Sequence, residues 1–411
     1  MLRISIFIGK LIQKISRLRG GGSALPGLVV ERINPSFVKK VLSKLPRGVA
    51  VISGTNGKTT TTKIVAELLE KQGLRVFTNN TGSNFVRGVI SAILENISIS
   101  GKFDYDIAVL ELDEAHAVKF CQAAPINYAL LLNVQRDQLD RFGEIDHTAD
   151  LLQKVAAAAD RDVILNREDP RVSKITAKNP AYFGLSEELL AQFPSDDDLI
   201  ESSEIKVSDK PAKVIMDKLS GSHATYIIDG KSFDADLTLK GIYNAFNAAG
   251  ALALCAAICD DESKNESLVQ TLSSVESAFG RGEVLKINDS EVEILLVKNP
   301  SAFQLSIASF ADDSYDFMIV INDNYADGRD VSWLWNVDFS PLSKVSMVSG
   351  VRAYDMALRL KYENIEIGEI EEDLEKAIND FTKGSKRPKR IFTTYTAMLA
   401  IRKIISGKSI L

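Results

Sequence analysis

The residues with the plainest chemical potential lie in the run Gly54-Thr55-Asn56-Gly57-Lys58-Thr59-Thr60. Glycines at this spacing let backbone N–H groups close around an anion, and Lys58 adds a point charge for β- and γ-phosphates. The Thr59 hydroxyl is of the type that ligates Mg2+. Only two residues separate Gly54 from Gly57, fewer than in the standard phosphate loop, and a bland turn would use the same glycines. The flanks argue against the turn. Residues 49–52 read as a buried strand of a parallel sheet. After the loop, Ile64, Val65, Leu68 and Leu69 recur at helical spacing until Gly73. A strand, a glycine loop and a helix N-terminus together predict a nucleoside triphosphate site.

Further candidates gather around that loop. Residues 106–112 read as a buried strand with Glu111 inside it and Asp113 and Glu114 just beyond. Acids at the carboxyl end of a parallel strand sit where ligands bind in open α/β sheets. A lone buried carboxylate is costly unless paired or metal-bound, so Glu111 is expected to ligate Mg2+. The polar run 79–84, followed by Arg87, is the expected substrate loop, with Asn80, Ser83, Asn84 and Arg87 as its contacts. A solvated turn is the competing reading. Asn244 and Asn247 are three apart on one helix face, either capping the helix or reading an adenine edge. Residues 322–335 concentrate acids, amides, Arg329 and both tryptophans of the chain. Turn chemistry accounts for the Asn, Asp and Gly, but the aromatics predict a contact surface.

The elements that must position these residues alternate. Strands are expected over 75–78, 106–112, 126–134 and 161–166, with helices between them, which argues a doubly wound parallel sheet. Across 181–240 the helical period fades and short alternating strands predict an antiparallel patch on that sheet. A second α/β unit is expected from 285, with strands 292–297, 317–322, 345–349 and 390–393 and helices 302–310, 353–362, 371–381 and 395–405. The chain thus divides into a basic lead-in (1–45), a central domain (46–284) and a C-terminal α/β domain (285–411). In the lead-in, residues 24–27 are expected to turn the chain towards a helix over 31–45.

Bulk properties narrow the function classes. The chain has 411 residues, 45% hydrophobic and 25% charged, as in ordinary soluble globular proteins. A net charge of −6 gives no basic footprint, so nucleic acid is not an expected partner. None of the three cysteines forms a CxxC pair, and buried small hydrophobes in a reducing compartment is the favoured reading. The first twenty residues carry five bases and no acid, on an amphipathic helical period. That helix either packs on the protein's own body, the favoured reading, or rests on an anionic membrane surface. No stretch is expected to be long and apolar enough to span a bilayer.

These residues resemble the Mur ligase family, and within it the MurT type. The central signature is matched by GTNGKTTTT at 54–62, LELDEA at 110–115, NVQRDQLDRFGE at 133–144, GIYNAFNAA at 241–249 and AFGRGE at 278–283. The MurT-type tail is matched by LVKNP at 296–300, NDNYADGRDVSWLWNVDF at 322–339, SGVRAYDMALRLKY at 349–362 and YTAML at 395–399, and the lead-in by GGGSALPG at 20–27. The resemblance covers nearly the whole chain. It implies a central Mur-ligase domain with a phosphate loop, and a Rossmann-like C-terminal domain. It also implies ATP-dependent amidation of the D-glutamate α-carboxylate in the lipid II stem peptide, through an acyl phosphate. The ammonia would come from a class I glutamine amidotransferase partner of the GatD type. The chain's own residues agree with such a division, because glutamine hydrolysis needs an activated cysteine with a His base and no cysteine here has that setting.

Carried across residue by residue, the resemblance assigns Thr55, Asn56, Gly57, Lys58, Thr59 and Thr60 to the triphosphate, and Thr59 and Glu111 to Mg2+. It assigns Asn244 and Asn247 to the adenine or ribose side and Arg281 to a phosphate. Asp330, with Asp327 as second choice, would complete the partner's Cys–His pair by orienting the His. It implies a cytoplasmic heterodimer acting on lipid II or a related muropeptide, with peripheral membrane contact as a further option. Residues 170–240 hold no cysteine, so the zinc ribbon of many such proteins is not expected. Gln138 stands where amino-acid-adding Mur ligases carry a His, which puts a second metal in doubt. Two rivals stay open: a stand-alone Mur-like amino-acid ligase, and a nucleotide-binding scaffold that only activates an amidotransferase.

Overall fold

Strands too apolar to face water on either side must be covered twice, and the chain does this with two sheets. The computed structural model describes residues 2–18, 24–79, 85–135, 145–190, 208–276, 281–287 and 290–406. Three helices lead in: α1 (Leu2–Leu18), α2 (Ala24–Ile33) and α3 (Phe37–Leu42). The expected turn at 24–27 is instead the first turn of α2, where Pro26 forfeits no intrahelical bond. The expected single helix over 31–45 is broken at Asn34-Pro35, because proline disfavours helical backbone in the residue before it.

The first sheet unit then runs β1 (Gly48–Ser53), α4 (Lys58–Lys71), β2 (Val76–Thr78), α5 (Val86–Asn96), β3 (Ile107–Glu111) and α6 (Glu114–Ala123). It continues with β4 (Tyr128–Leu131), α7 (Ile145–Ala158), β5 (Asp162–Asn166), β6 (Asn179–Leu185) and the short α8 (Glu187–Leu190). The strands β7 (Val214–Ser220), β8 (His223–Ile228) and β9 (Lys231–Asp236) precede α9 (Ile242–Cys259) and α10 (Asn265–Thr271). All nine strands form one sheet, ordered β2-β3-β1-β4-β5-β6-β7-β8-β9. Pairing is parallel as far as β7, so the antiparallel part is narrower than expected: only β7, β8 and β9 pair that way.

One face of this sheet is covered by α4 and α9, through Ile64, Leu68, Leu252 and Leu254. On the other face Val51 and Leu110 pack with Ile90 of α5, Phe120 of α6, and Ile6, Val30 and Phe37 from the lead-in helices. The lead-in helices α1, α2 and α3 therefore each contribute a face to the body's core. Contrary to the expectation that no stretch would qualify, α9 is long and apolar enough to cross a membrane, but it lies mostly buried against the sheet.

The second unit comprises β10 (Arg281–Ile287), β11 (Ser290–Leu296), α11 (Pro300–Phe310), β12 (Asp316–Val320), β13 (Lys344–Ser349), α12 (Ala353–Tyr362), β14 (Glu366–Glu371), α13 (Leu374–Lys383), β15 (Lys389–Thr393) and α14 (Tyr395–Ser406). Its sheet order is β10-β11-β15-β12-β13-β14, parallel except for the β10–β11 hairpin. Strand β10 belongs wholly to this sheet, so a boundary between 284 and 285 would cut it in two. The helix expected over 371–381 starts later, at Leu374, because the Asp373 carboxylate caps it by accepting from Lys376 N. The residues before it form β14, an edge strand that exposes Glu366 and Glu369.

Candidate functional site

Strand β1 delivers the glycine loop to the carboxyl edge of the first sheet, where β1 lies between β3 and β4. Such a position between neighbouring crossovers is where open α/β sheets bind ligands. Gly57 has φ of +86°, and a Cβ there would sit 2.6 Å from Asn247 Oδ1, so both conformation and space demand glycine. Helix α4 starts at the next residue, which aims its N-terminal N–H groups and positive dipole end at the loop. Lys58 Nζ donates to the carbonyls of Gly54 (2.6 Å) and Thr55 (3.3 Å) and ion-pairs with Asp113 at 3.3 Å. The cation is thus fixed against the loop by two carbonyls and a carboxylate.

Because β1 and β3 pair in parallel, with Ile52 beside Glu111, the end of β3 faces the first turn of α4. There the Thr59 hydroxyl donates to Glu111 Oε1 at 2.8 Å. The Asn79 side chain fixes the Glu111 backbone, accepting from its N–H (2.9 Å) and donating to its carbonyl (2.8 Å). A hydroxyl and a carboxylate together are hard oxygen donors. They fit Mg2+, which takes one or two protein oxygens and completes its octahedron with water and phosphate. Among the described residues no group of three or more His, Cys, Asp or Glu could hold a metal by itself.

Sequence reasoning missed how the loop is braced. Asn133, just past β4, accepts from Asn56 N at 2.8 Å and donates to Asn56 O at 3.1 Å. Gln135 accepts from Asn56 Nδ2 at 2.5 Å. The buried Asp169 holds that segment in turn by accepting from Val134 N at 2.8 Å. The second unit also reaches the loop. Lys298 Nζ donates to Thr55 O at 2.9 Å, and the Asn299 and Asn56 amides exchange hydrogen bonds at 3.1 and 3.3 Å. Asn299 also caps α11 by accepting from Ala302 N. The only sequence signal for these two residues was their place in the run 296–300.

Between the units lies an open cleft lined by Gly57, Asn244, Asn247, Lys298, Ser306 and Phe310 among others. Asn244 and Asn247 both border it, but each also has a local task. Asn244 Nδ2 donates to Lys240 O at 2.7 Å, and Asn247 packs under Gly57. Arg87 does not join the loop residues: its guanidinium pairs with Glu31 of α2 at 2.8 Å. Asn80, Ser83, Asn84 and Gln138 lie outside the described residues, as does the side chain of Arg281, whose backbone opens β10.

The two acids of the tail motif differ sharply. Asp327 is buried and accepts from Thr396 N at 2.7 Å, from the Thr396 hydroxyl and from Asn324 N at 3.2 Å, anchoring the start of α14. Burial raises its carboxyl above the usual range. Asp330 is exposed, and hydrogen bonds from Ser332 hold its carboxyl below that range. Nearby, Trp335 packs edge-on against Tyr362 with ring centroids 5.1 Å apart, and both rings stay about half exposed or more.

A nine-stranded sheet carrying a phosphate loop, joined across a cleft to a smaller α/β unit, defines a ligase of the Mur type. The Mur ligase middle-domain model matches residues 52–255 and the MurT ligase C-terminal model residues 296–398. A MurF ligase from Thermotoga maritima, solved with ADP, superposes with a TM-score of 0.69 at 19% identity, covering 92% of this chain and 83% of that one. A pseudomurein peptide ligase type C from Methanothermus fervidus gives 0.70 at 17% identity, covering 92% and 84%. Among curated proteins, the MurT subunit of the glutamine-hydrolyzing lipid II isoglutaminyl synthase of Streptococcus pneumoniae is 30% identical, over 96% of this chain and 95% of its own length. Its Staphylococcus aureus (strain COL) counterpart is 29% identical over 91% of each. The chain belongs to the MurT family of ATP-dependent Mur-type ligases.

Proposed function

We propose that this chain amidates the α-carboxylate of D-glutamate in the lipid II stem peptide, using ATP and ammonia supplied by a glutamine amidotransferase partner. The observation that carries the reading is the pairing of Thr59 with Glu111 beside a lysine-bearing phosphate loop, at the mouth of a cleft between the two units. A scaffold that only recruits a partner needs none of these three side chains. The relatives' names, which describe a subunit of a glutamine-hydrolyzing lipid II isoglutaminyl synthase, supply the substrate class.

In this reading the loop amides and Lys58 hold the β- and γ-phosphates, while Thr59 and Glu111 would hold Mg2+, which neutralises phosphate charge when bound. Asn133, Gln135, Lys298 and Asn299 keep the loop in the shape the phosphates require. The γ-phosphoryl passes to a carboxylate oxygen, giving an acyl phosphate and ADP. Ammonia then attacks the carbonyl carbon and inorganic phosphate leaves. Little covalent chemistry falls to the protein, so positioning and charge stabilisation supply the rate. Asn244 and Asn247 border the base and ribose side.

The exposed Asp330 is the acid offered to the partner's Cys–His pair, and the buried Asp327 is a structural anchor. Exposed Tyr325, Trp335, Tyr354 and Tyr362 in the same unit supply the aromatic surface that protein contacts favour. The enzyme works at the cytoplasmic side of the membrane, where its lipid-linked acceptor is presented. The test is direct: purified chain, ATP, Mg2+ and ammonium should convert lipid II to its amidated form with stoichiometric phosphate release. Addition of an amino acid in place of ammonia, or no ATP turnover, would overturn the proposal.

A further inference from the structure

Helix α1 is mounted with its faces reversed. The side turned to the body carries Ser5, Ile6, Gly9 and Ser16, all buried. A Cβ on Gly9 would lie 2.7 Å from Leu94 and Val30 side-chain atoms, so the helix sits close on α5 and α2. Polar bonds fasten this side: Lys10 Nζ donates to Leu94 O at 2.6 Å, Gln13 to Ser91 O at 3.3 Å, and Asn34 to the Ser5 hydroxyl at 3.2 Å. The opposite side is apolar and faces outward. Ile4, Phe7, Leu11 and Ile15 follow the helical repeat and are 59, 58, 49 and 42% exposed. A surface helix normally does the reverse, and a contiguous exposed apolar strip marks an interaction site.

The charge beside the strip identifies what covers it. Arg3 and Lys14 are exposed on the same helix, whose residues 2–18 include no acid in a chain of net charge −6. A protein partner's apolar groove would not require that one-sided charge. An anionic bilayer supplies both complements, acyl chains for the strip and headgroups for the bases. Beside α1, the turn 98–101 adds Ile99, 63% exposed; Gly101 in that turn approaches Leu2 and Ile6. From these observations we propose that α1 is a monotopic membrane anchor. It lies in the plane of an anionic lipid surface through Ile4, Phe7, Leu11 and Ile15, with the rest of the enzyme held above it. The role of such an anchor, though not the anchoring itself, rests on the lipid-linked acceptor proposed above.

The test uses the full chain with its amidotransferase partner and flotation on phosphatidylglycerol-rich or pure phosphatidylcholine vesicles. Binding should be strong on the first and weak on the second, and should fall with rising salt. Phe7→Glu with Leu11→Glu should cut it by about tenfold or more, since each side chain loses its burial in lipid. Both residues are exposed, so the fold should survive, which circular dichroism verifies. Amidation of a soluble muropeptide should be unchanged in the double variant, while amidation of lipid II in vesicles should drop. Loss of both activities would fault the design of the variant's fold, and Lys14→Glu, which touches only charge, then decides by the same flotation. Unaltered flotation of the double variant overturns the anchor. So does an apolar strip that proves to hold a second copy, seen as a dimer in the parent that the double variant dissolves without vesicles present.

Discussion

Asn299 and Asn56 exchange hydrogen bonds across the cleft, at 3.1 and 3.3 Å, though they stand 243 positions apart in the chain. One belongs to the second sheet unit and the other to the phosphate loop. With Lys298 on the Thr55 carbonyl, the pair makes the loop's shape depend on how the two units sit together.

Replacing Asn299 by Ala should therefore do two things at once. It removes the α11 cap, worth about 1 kcal/mol of stability. It also removes the tie from Asn56 to the second unit while Asn133 and Gln135 still hold it, so KM for ATP should rise several-fold with kcat less affected. Thermal melts and ATPase kinetics separate the two, and an unchanged KM would show that the bridge does not shape the loop.

At the other end of the loop, Thr59→Ala and Glu111→Gln should each weaken the same step. Loss of one charge-stabilising group typically lowers the rate by about 10²–10³-fold. If both act on one Mg2+, the double variant should be little worse than either single one. Multiplying losses in a titration with Mg2+ would mean separate roles.

The two tail acids give a sharper contrast. Asp330→Asn keeps an oxygen for Ser332 N, so stability should stay within about 0.5 kcal/mol. Glutamine-dependent amidation should vanish while ammonia-dependent amidation persists. Asp330 is held below the usual carboxylate range, so acidification should protonate it late, and an acid limb near neutrality would belong to another group. Asp327→Ala, which orphans Thr396 N and Asn324 N, should instead cost about 2 kcal/mol and lower both activities together.

The cysteines offer a check on the division of labour. Burial pushes the Cys121 thiol up to about 11 and Cys255 also well above its ordinary value. At neutral pH these thiols should alkylate slowly, because the thiolate is the nucleophile. Cys121→Ser should leave amidation by the complex intact; inactivation would place a needed thiol on this chain.

The phosphate loop was legible because its signals are local: an apolar strand, closely spaced glycines and a helical period lie within one short stretch. Glu111 was legible for a similar reason, as an acid where a strand should be purely apolar. The Asn56–Asn299 bridge carries no local signal, since a capping Asn before Pro300 looks the same whether or not it reaches another unit. Strand β14 went unread because its glutamates resemble a solvated loop, and the lead-in was misdivided where Pro26 and Pro35 exchanged the roles expected of them. The orientation of α1 was equally hidden. An amphipathic period tells that a helix has two faces, but only packing tells which one is spent on the body.

The far rim of the second sheet limits how anything can be added to it. An open strand edge invites a visiting strand, yet along β14 Glu366 pairs with Lys344 and Glu371 with Lys376, and Glu369 stays exposed. A newcomer aligning its backbone there would have to strip water from that charged fringe. Assembly along this rim is thereby disfavoured, and the sheet ends there at β14.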